Sequence, residues 1–500
     1  MDAWDVIVVG GGVAALRAAI AAHDGGATVT ILESGGLGSG SAGMACEGLS
    51  VSASETNSNS HASDVIQAGA GECDESVVRL RTASAFNHLA ELERWGLVLR
   101  RDEQGLPLLQ SAPGHSQPRL ATTGDSTGRE IHSILEEQCI KRVIPRRGDI
   151  QPLTLTLDGD SVSGIICLDI QRGELVAMQA KSIVLATDGY QAAWNGDGVG
   201  SGDGAWLASD AGVTLSGTEM VAWYPLSVDS HGISLPLSIL NDGASVRLAS
   251  GGNVDFASDA GLHAASVVLT SGEPCVLDAR ALDRGTEVWY ADTAERVNSR
   301  LGAAMDEAVI PLTPRVTSTL GGVPCDGSGR VSSVSGLHAA GDCANSGFHG
   351  ADVTGGDRLL EALDGGLCAG ASAAEHASTS SFGDGNSVDE ALSESATRVA
   401  ALLHGNGGRV TRGAAAQQLA DIMSESMGMS RDASSLAGAA SQLENLCSVE
   451  MSLSDSSPIM NTELVEVVRL QGLIRLAAAS VAAASERRES CGSHQRADAE

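Results

Sequence analysis

The sequence contains very little lysine and few aromatic residues. Its 500 residues include 31 lysines and arginines, of which only Lys141 and Lys181 are lysines, and only 4 Phe, 6 Trp and 3 Tyr. Acidic residues number 63, so the formal net charge at pH 7 is −32. Such acidity excludes general affinity for nucleic acid or for an anionic membrane surface, because phosphate binding needs a basic footprint. A local basic pocket for a small anion is still compatible with this composition.

The sequence also lacks the pattern of a secretion signal or a membrane anchor. The N-terminus is acidic at Asp2 and Asp5, whereas a signal peptide starts with basic residues. The alanine-rich stretch at 477–484 is too short to span a bilayer. We therefore expect a cytoplasmic protein without direct membrane insertion, which would reach a membrane only through partner subunits.

Closely spaced cysteine pairs are absent too. The 10 cysteines are scattered through the chain, which is typical of neither a disulfide framework nor an iron–sulfur or zinc site. Buried free thiols are the better interpretation, and we expect no metal ligands in this chain. A metal cluster, if the protein uses one, would belong to a partner.

What the sequence does contain is a glycine-rich turn between a strand and a helix. An apolar run at 6–9 precedes three glycines at 10–12, then a predicted helix at 13–23 and a predicted strand at 28–32 that ends at Glu33. Gly10, Gly12 and Ala15 occupy the three small-residue positions of a dinucleotide fingerprint. Glycine lets the backbone approach a pyrophosphate at a helix N-terminus, and the acid binds ribose hydroxyls. The pattern predicts a nucleotide site.

Two later segments favour FAD over NAD as that nucleotide. Residues 181–189 form a buried strand that ends in a turn, and residues 336–342 form another that ends at Gly341 and Asp342. Flavoproteins with two such dinucleotide motifs use an acid of this kind on the ribityl-pyrophosphate portion of FAD. A single-Rossmann NAD enzyme has no need of a Gly-Asp strand so far downstream.

The predicted fold class is α/β: a doubly wound, Rossmann-like FAD-binding domain with an inserted α+β capping domain and a helical C-terminal domain. The FAD-binding domain is expected at 1–217 and 318–377, and irregular short strands with one helix near 292–308 place the cap at 218–317. Residues 378–387 read as a linker. Apolar residues at helical spacing in 391–403, 414–423 and 464–484 predict a helical domain at 388–500.

A series of short motifs resembles the flavoprotein subunit of succinate dehydrogenase and fumarate reductase, a family that includes L-aspartate oxidase. The motifs follow the family's order over nearly the whole chain. They are GHSQPR (114–119), DSTGR (125–129), GDG (202–204), TLGGV (319–323), LHAAGDC (337–343), HGAD (349–352), NTELV (461–465) and RESCGSHQR (488–496).

The resemblance implies FAD chemistry on a C4 dicarboxylate, with hydride transfer between the flavin and the substrate carbon. Arginines and histidines would clamp the carboxylates and a cap arginine would shuttle the proton. It also implies further FAD contacts, at Ser41, Gly48, Thr187, Asp203 and Leu359. Electrons would pass to an iron–sulfur subunit or, in an oxidase, to a soluble acceptor such as oxygen.

Several of the family's functional positions carry different residues in this chain. Ala42 stands where many members attach FAD through histidine, so non-covalent FAD is expected. Tyr224 replaces a substrate histidine, Ser258 the proton-shuttling arginine and Val353 the arginine of the HGANR motif. His349 is kept, Ser238 matches a substrate hydroxyl, and Arg358 follows five residues after Val353.

The catalytic candidates are therefore His349, Ser238, Tyr224 and Arg358, while Arg247 is a cap cation that a shifted alignment would recruit. Three functions stay open. The chain is a flavoenzyme acting on a small organic acid, an enzyme similar to L-aspartate oxidase, or a flavin-binding subunit whose dicarboxylate site is lost. The histidine and arginine at 494 and 496 are carried over only weakly from the family's C-terminal signature.

Overall fold

The first 35 residues form the β-α-β unit that the glycine-rich pattern predicts. The computed structural model describes residues 2–40, 46–196, 199–228, 232–254, 261–282, 285–305, 307, 309–404 and 410–499. Strand β1 (Asp2–Val9), helix α1 (Val13–Asp24) and strand β2 (Val29–Leu32) follow one another, and β1 and β2 pair in parallel from Val6 opposite Val29 to Val9 opposite Leu32. The run at 6–9 is continuously apolar because a parallel strand is covered on both faces.

The rest of the first segment completes a sheet and surrounds it with helices. Its elements are β3 (Leu49–Ser50), α2 (Glu55–Ala68), α3 (Glu75–Trp95), β4 (Leu109–Gln110), β5 (Leu120–Ala121), α4 (Thr127–Lys141), β6 (Arg146–Arg147), β7 (Ile150–Asp158), β8 (Ser161–Asp169), β9 (Glu174–Leu185), α5 (Ala192–Asn195) and α6 (Asp203–Asp210).

The segment that follows forms the cap, and its hydrophobic core also includes Leu120, Leu320, Ala351 and Val353 from the adjoining part of the chain. Its elements are β10 (Val221–Tyr224), β11 (Ser227–Val228), β12 (Ile233–Ser234), β13 (Ser245–Leu248), α7 (Leu262–Thr270), β14 (Cys275–Asp278), α8 (Ala291–Leu301), β15 (Val309–Pro311) and β16 (Arg315–Thr319). Short 3₁₀ helices occupy Leu237–Asp242 and Glu287–Tyr290.

The chain then returns to the main sheet. It adds β17 (Val323–Pro324), β18 (Leu337–Ala339), β19 (Ala344–Asn345) and α9 (Asp357–Thr379). The sheet has the order β6-β2-β1-β9-β8-β7, and β18 also pairs with β9. The carboxyl-terminal half of β9 lies between the parallel strands β1 and β18, while its first half pairs antiparallel with β8. The parallel strand ends therefore meet at one edge, where α/β proteins bind ligands.

Helices α1 and α9 pack directly on each other through small residues. A Cβ on Gly370 would lie 2.1 Å from the carbonyl oxygen of Ala18, and one on Gly366 would lie 2.5 Å from that of Ala14. Only glycine permits this approach, since a methyl group at either position would overlap backbone. The contact places the middle of α9 beside the first turns of α1.

The C-terminal part is helical, as its apolar spacing predicts. Its elements are α10 (Asn386–His404), β20 (Val410–Thr411), α11 (Arg412–Ser426), α12 (Ala433–Cys447), β21 (Met451–Ser452) and α13 (Thr462–Glu486). Helix α12, which Asp432 starts with a capping box, was not predicted from the apolar spacing. By length and composition α13 is apolar enough to cross a membrane, and 61% of its most apolar window is buried inside the protein.

The final described residues tie the helical part to the cap. Ser493 Oγ accepts a 3.0 Å hydrogen bond from the backbone N–H of Val221, and Arg487 Nε donates to the Glu219 carboxylate at 2.7 Å. Arg431 donates to the carbonyl oxygen of Glu219 at 2.8 Å. These hydrogen bonds hold residues 219–221, where the chain enters the cap, against the C-terminal part.

Candidate active site

A continuous groove follows the carboxyl ends of β1, β2 and β9. Its smaller part, of about 560 Å³, is lined by the glycine-rich turn, Glu33 and Asp203. Its larger part measures about 1270 Å³, including space open to solvent, and extends to the cap. Gly12, Thr187 and Asp188 line both parts, so a long ligand can lie across them.

The backbone of the glycine-rich turn faces this groove without side chains to cover it. Gly10 has a φ of +129°, and a Cβ there would lie 2.1 Å from the carbonyl oxygen of Ala186. Gly12 is the N-cap of α1, and a Cβ on it would meet nothing within 4 Å. The ring of His132 donates to the carbonyl oxygen of Gly11 at 2.7 Å and holds the turn. The positive end of α1 therefore faces open space suited to a pyrophosphate.

Glu33 lies at the end of β2, where the fingerprint predicts the ribose-binding acid. The side chain is buried, its Oε1 lies 2.7 Å from Arg146 Nη2, and its Oε2 accepts the N–H of Gly38 at 3.0 Å. The sequence offered no signal for Arg146, which comes from β6 more than a hundred residues later. Arg146 also binds Glu136, so the acid is held in a fixed orientation.

Other predicted cofactor residues take different places around the groove. Thr187 follows β9 and accepts the N–H of Gly204 at 2.9 Å, while Asp203 starts α6 and accepts from Ser201 Oγ at 2.8 Å. Gly48 has a φ of +89° and packs on β5, and Ala15 is buried inside α1 rather than lining the groove. Ser41 and Ala42 lie outside the described residues.

The starts of two helices meet at the larger part of the groove. Gly341 lies against α1, where a Cβ would contact that of Ala14 at 2.9 Å, and Leu359 lines the groove from the first turn of α9. Both helix N-termini therefore direct partial positive charge at one region. The bare turn, the ribose-type acid and this region suit the pyrophosphate, ribose and ring portions of a dinucleotide, so the residues present fit FAD.

Comparison with known proteins decides the family. Residues 5–359 match the family described as "FAD binding domain", and residues 416–500 match "Fumarate reductase flavoprotein C-term". The chain belongs to the succinate dehydrogenase/fumarate reductase flavoprotein family. It is an FAD-dependent oxidoreductase, as the motif order implied.

Proteins with two different functions have sequences similar to this one. The chain is 27% identical to the 8-methylmenaquinol:fumarate reductase flavoprotein subunit of Wolinella succinogenes, over 99% of this chain and 86% of that protein. It is 31% identical to the L-aspartate oxidase of Mycobacterium leprae, over 75% of both chains. A solved structure of E. coli quinol fumarate reductase FrdA superposes with a TM-score of 0.93 at 23% identity, covering 100% of this chain and 92% of that one. This last likeness concerns the fold.

Arg358 lies between two acids at the larger part of the groove. Its Nη1 donates to Glu47 at 2.9 Å and its Nη2 to Asp342 at 2.7 Å. Burial raises the pKa of Glu47 above its usual value, against the opposing charge of Arg358. Burial acts the same way on Asp342, but there the charge and hydrogen bond of Arg358 outweigh it and the pKa is lowered.

The predicted catalytic residues are only partly brought together. Tyr224 lines the groove, and its hydroxyl donates to the carbonyl oxygen of Leu235 at 2.7 Å. His349 lies in an adjoining pocket with Arg358, where burial lowers its pKa to about 4. Ser238 is elsewhere in the cap, where it accepts from Tyr290, and it is not among the described residues that line the groove.

The other family positions give no dicarboxylate clamp in the described part of the chain. Val353 is buried, and its carbonyl oxygen accepts the N–H of Leu262. Arg247 is bound to Asp278 within the small cap sheet at 2.9 Å. Ser258 lies outside the described residues.

Two cap arginines that the sequence analysis did not single out line the groove instead. Arg296 projects from α8 and Arg315 from the start of β16, and both face the same cavity as Arg358. The motif comparison could not select them, since neither belongs to a motif shared with the family. Their approach to the groove depends on how the cap lies over the FAD-binding part.

Proposed function

We propose that this flavoenzyme oxidises or reduces a small organic-acid anion bound between the FAD-binding part and the cap. The observation that supports this is the position of Arg296 and Arg315 on the cap side of the cofactor groove. A guanidinium group binds a carboxylate through paired, charge-assisted hydrogen bonds. The substrate class follows from that chemistry.

The charge around the groove is consistent with an anionic substrate. The larger part is lined by three arginines and by three acids, Glu47, Asp188 and Asp342. Arg358 is engaged by two of those acids, and Arg296 and Arg315 line the same part of the groove from the cap. The charges that line this part of the groove are therefore equal in number, although the chain as a whole has a net charge of −32. An anion meets far less repulsion there than over the rest of the surface.

Bound FAD supplies a ring system that accepts or donates a hydride, and this chain supplies binding, shielding and proton exchange. The glycine-rich turn and Glu33 hold the nucleotide end, while the cap covers the substrate and excludes water. Glu47 lies in the groove with a pKa that burial raises, as suits a group that exchanges a proton. Tyr224 keeps its proton, because burial raises its pKa, and it positions rather than titrates.

The predicted roles of the four catalytic candidates change accordingly. We assign Arg358 to the cofactor side, since Glu47 and Asp342 already hold it. His349 stays neutral behind Arg358, and Ser238 supports the cap from its buried position. Arg296 and Arg315 take the place of the family's clamp.

We expect the FAD to be bound without a covalent bond, because Ala42 stands where related chains carry the attaching histidine. Precipitation of the purified protein with acid separates the two cases. Non-covalent FAD stays in the supernatant with its yellow colour, whereas covalent FAD goes down with the protein. Yellow pellets would contradict the expectation.

The electrons need an acceptor outside this chain. All ten cysteines are free, and the one cluster of possible metal-binding side chains in the described part of the chain contains no cysteine. The Wolinella relative is itself a flavoprotein subunit, which makes an iron–sulfur partner subunit the first candidate acceptor. Such a partner would place a cytoplasmic flavoprotein at a membrane without any insertion of its own.

L-aspartate oxidase activity is the second candidate, and the 31% identity to that enzyme favours it. An oxidase passes its electrons to oxygen and needs no partner subunit. Release of peroxide on addition of L-aspartate would establish this function. Without peroxide, flavin reduction by another organic acid decides for the first proposal.

The decisive experiment follows bleaching of the flavin absorbance in the absence of oxygen. Succinate, malate, L-aspartate and other small acids are compared with their methyl esters, which lack the carboxylate charges. Fumarate is tested for reoxidation of chemically reduced flavin. We expect one acid to react while its ester does not. If no acid reduces the flavin and fumarate does not reoxidise it, the protein is a non-catalytic flavin-binding subunit.

Substitutions of the two cap arginines, with a matched control on α8, test their role. Arg296→Gln and Arg315→Gln should each lower kcat/KM by about 10–100-fold, which corresponds to the loss of a charged hydrogen bond. Arg300→Gln changes an exposed arginine on α8 that does not line the groove, so its kinetics should match those of the unaltered protein. Equal effects of all three substitutions would overturn the assignment.

A further inference from the structure

Two histidines and an aspartate meet beneath the start of α9, away from the residues assigned to the substrate. His61 comes from α2, His115 from the loop between β4 and β5, and Asp357 is the first residue of α9. One ring nitrogen of each histidine and one carboxylate oxygen lie within 4.8 Å of one another. His61 and Asp357 are fully buried, whereas His115 is partly exposed and offers a path from solvent.

The hydrogen bonds define which atom of His115 is available. Its Nε2 lies 2.8 Å from the carbonyl oxygen of Gly355, which can only accept, so Nε2 carries the proton. In neutral imidazole the other nitrogen then has a free lone pair. Nδ1 of His115 is buried and has no hydrogen-bond partner among the described residues.

The other two groups are oriented by their own hydrogen bonds. Asp357 accepts the hydroxyl groups of Ser50 and Thr354, one on each carboxylate oxygen. His61 Nε2 lies 2.9 Å from Asp357 Oδ1, and its Nδ1 lies 2.7 Å from Ser52 Oγ. Transfer of the His61 proton to Nδ1 would free Nε2 and let Nδ1 donate to Ser52. Metal-binding histidines usually have such an outer hydrogen bond.

We propose that His61, His115 and Asp357 bind a divalent first-row transition-metal ion. Two imidazole nitrogens and one carboxylate oxygen are the donors that Zn²⁺ and Fe²⁺ accept, whereas Mg²⁺ and Ca²⁺ prefer oxygen alone. The ion would compensate the negative charge of the Asp357 carboxylate, which is fully buried at the start of α9.

Such an ion would act on structure rather than on the substrate. It would join α2, the loop at 111–119 and the first turn of α9, which are far apart in the sequence. Arg358 directly follows Asp357 and projects into the cofactor groove. The ion would therefore fix the turn that carries Arg358. No spacing pattern predicts this site, because its ligands are 296 residues apart at the widest.

The test begins with the metal content of the full-length FAD-bound protein, purified without a histidine tag and without chelator. Mass spectrometry of the digested protein should find close to one equivalent of a first-row metal. Protein treated with a chelator should take up one equivalent of Zn²⁺ in competition with a chromophoric indicator. If the native protein carries no metal and the treated protein takes up none, the cluster is a hydrogen-bonded part of the core and the proposal is wrong.

Variants separate metal binding from folding. His115→Gln keeps a donor for Gly355 and removes the free nitrogen, and Asp357→Asn removes the charge at nearly constant shape. Each should weaken Zn²⁺ binding by at least 100-fold while FAD absorbance is kept in His115→Gln. His88→Gln is the matched control, since His88 forms a buried pair with Asp364 at the same 2.9 Å distance, also on α9. Equal metal content in His115→Gln and His88→Gln would refute the proposal.

Discussion

Replacement of Arg358 by methionine tests the electrostatics of the cofactor groove most directly. The arginine is only 17% exposed and its partners Glu47 and Asp342 are 6% and 20% exposed. Methionine fills a similar volume but leaves both carboxylates without their cation. Removal of one partner from a buried ion pair costs about 3–5 kcal/mol. For a chain of 500 residues, which unfolds with an entropy of about 2.1 cal/mol/K per residue, that lowers the melting temperature by roughly 3–5 °C.

The loss should depend on pH, with a sign fixed by the two acids. In the unaltered protein Arg358 lowers the pKa of Asp342, so that part of the stability is present above the unfolded pKa and disappears as pH falls. In the variant burial acts unopposed, and the folded pKa values of both acids rise. The folded variant then takes up protons before the unfolded chain and gains stability on acidification. The deficit is therefore largest near pH 8 and shrinks toward pH 5.

The measurement is the melting temperature of both proteins between pH 5 and pH 8, with saturating FAD and again without FAD. The flavin-free series removes any effect that passes through cofactor binding. Arg296→Gln is the control, because it alters an exposed arginine of the same groove, and its melting temperature should stay within about 1 °C. A variant Arg358→Met as stable as the unaltered protein at pH 8, or a deficit equal at all pH values, would refute the reasoning.

Three further predictions concern packing, cofactor binding and acid stability. Gly370→Ala should lower the free energy of unfolding in urea by about 1–3 kcal/mol, since the new methyl group overlaps the Ala18 carbonyl oxygen. Gly438→Ala, where a Cβ meets nothing within 4 Å, should raise it by about 0.5–1 kcal/mol, and the reverse order would contradict the packing argument. Glu33→Gln should weaken FAD binding about tenfold in a fluorescence titration of flavin-free protein, and an unchanged Kd would remove Glu33 from the site. Burial lowers the pKa of His349 from 6.5 to about 4, so the unfolded chain binds a proton in this pH range before the folded protein does. The free energy of unfolding therefore falls by up to about 3 kcal/mol as pH decreases from 6.5 to 4. In His349→Gln the free energy of unfolding should depend less on pH in that window.

The parts of the fold that local patterns define were predictable from the sequence. A continuous apolar run, three glycines and an apolar helix specify the first β-α-β unit, because each element is set by neighbouring residues. Helix α12 had a readable signal as well, with a capping Asp432 followed by Leu436, Ala439 and Leu443 on one face. Its many small and polar residues obscured that periodicity.

The site was predictable only where one residue acts with its own motif. Glu33 followed from the fingerprint, but its partner Arg146 joins through the pairing of β2 with β6. Arg358 was selected for its position after the HGAD motif, yet one of the two acids that hold it, Glu47, lies 311 residues away in the sequence. Such ion pairs depend on tertiary packing, and the spacing of residues along the sequence does not predict them. The cap arginines were missed for the same reason.

The tether between the end of the chain and the cap has a consequence for synthesis. The N–H of Val221 can form its hydrogen bond with Ser493 only after a further 272 residues have been synthesised. At about 5–20 residues per second, a ribosome needs roughly 15–55 s to cover that interval. The FAD-binding elements through α9 are complete well before that contact forms. FAD could then bind before the contact between Ser493 and Val221 holds the cap in place. The order of translation would therefore favour FAD binding before the cap covers the groove.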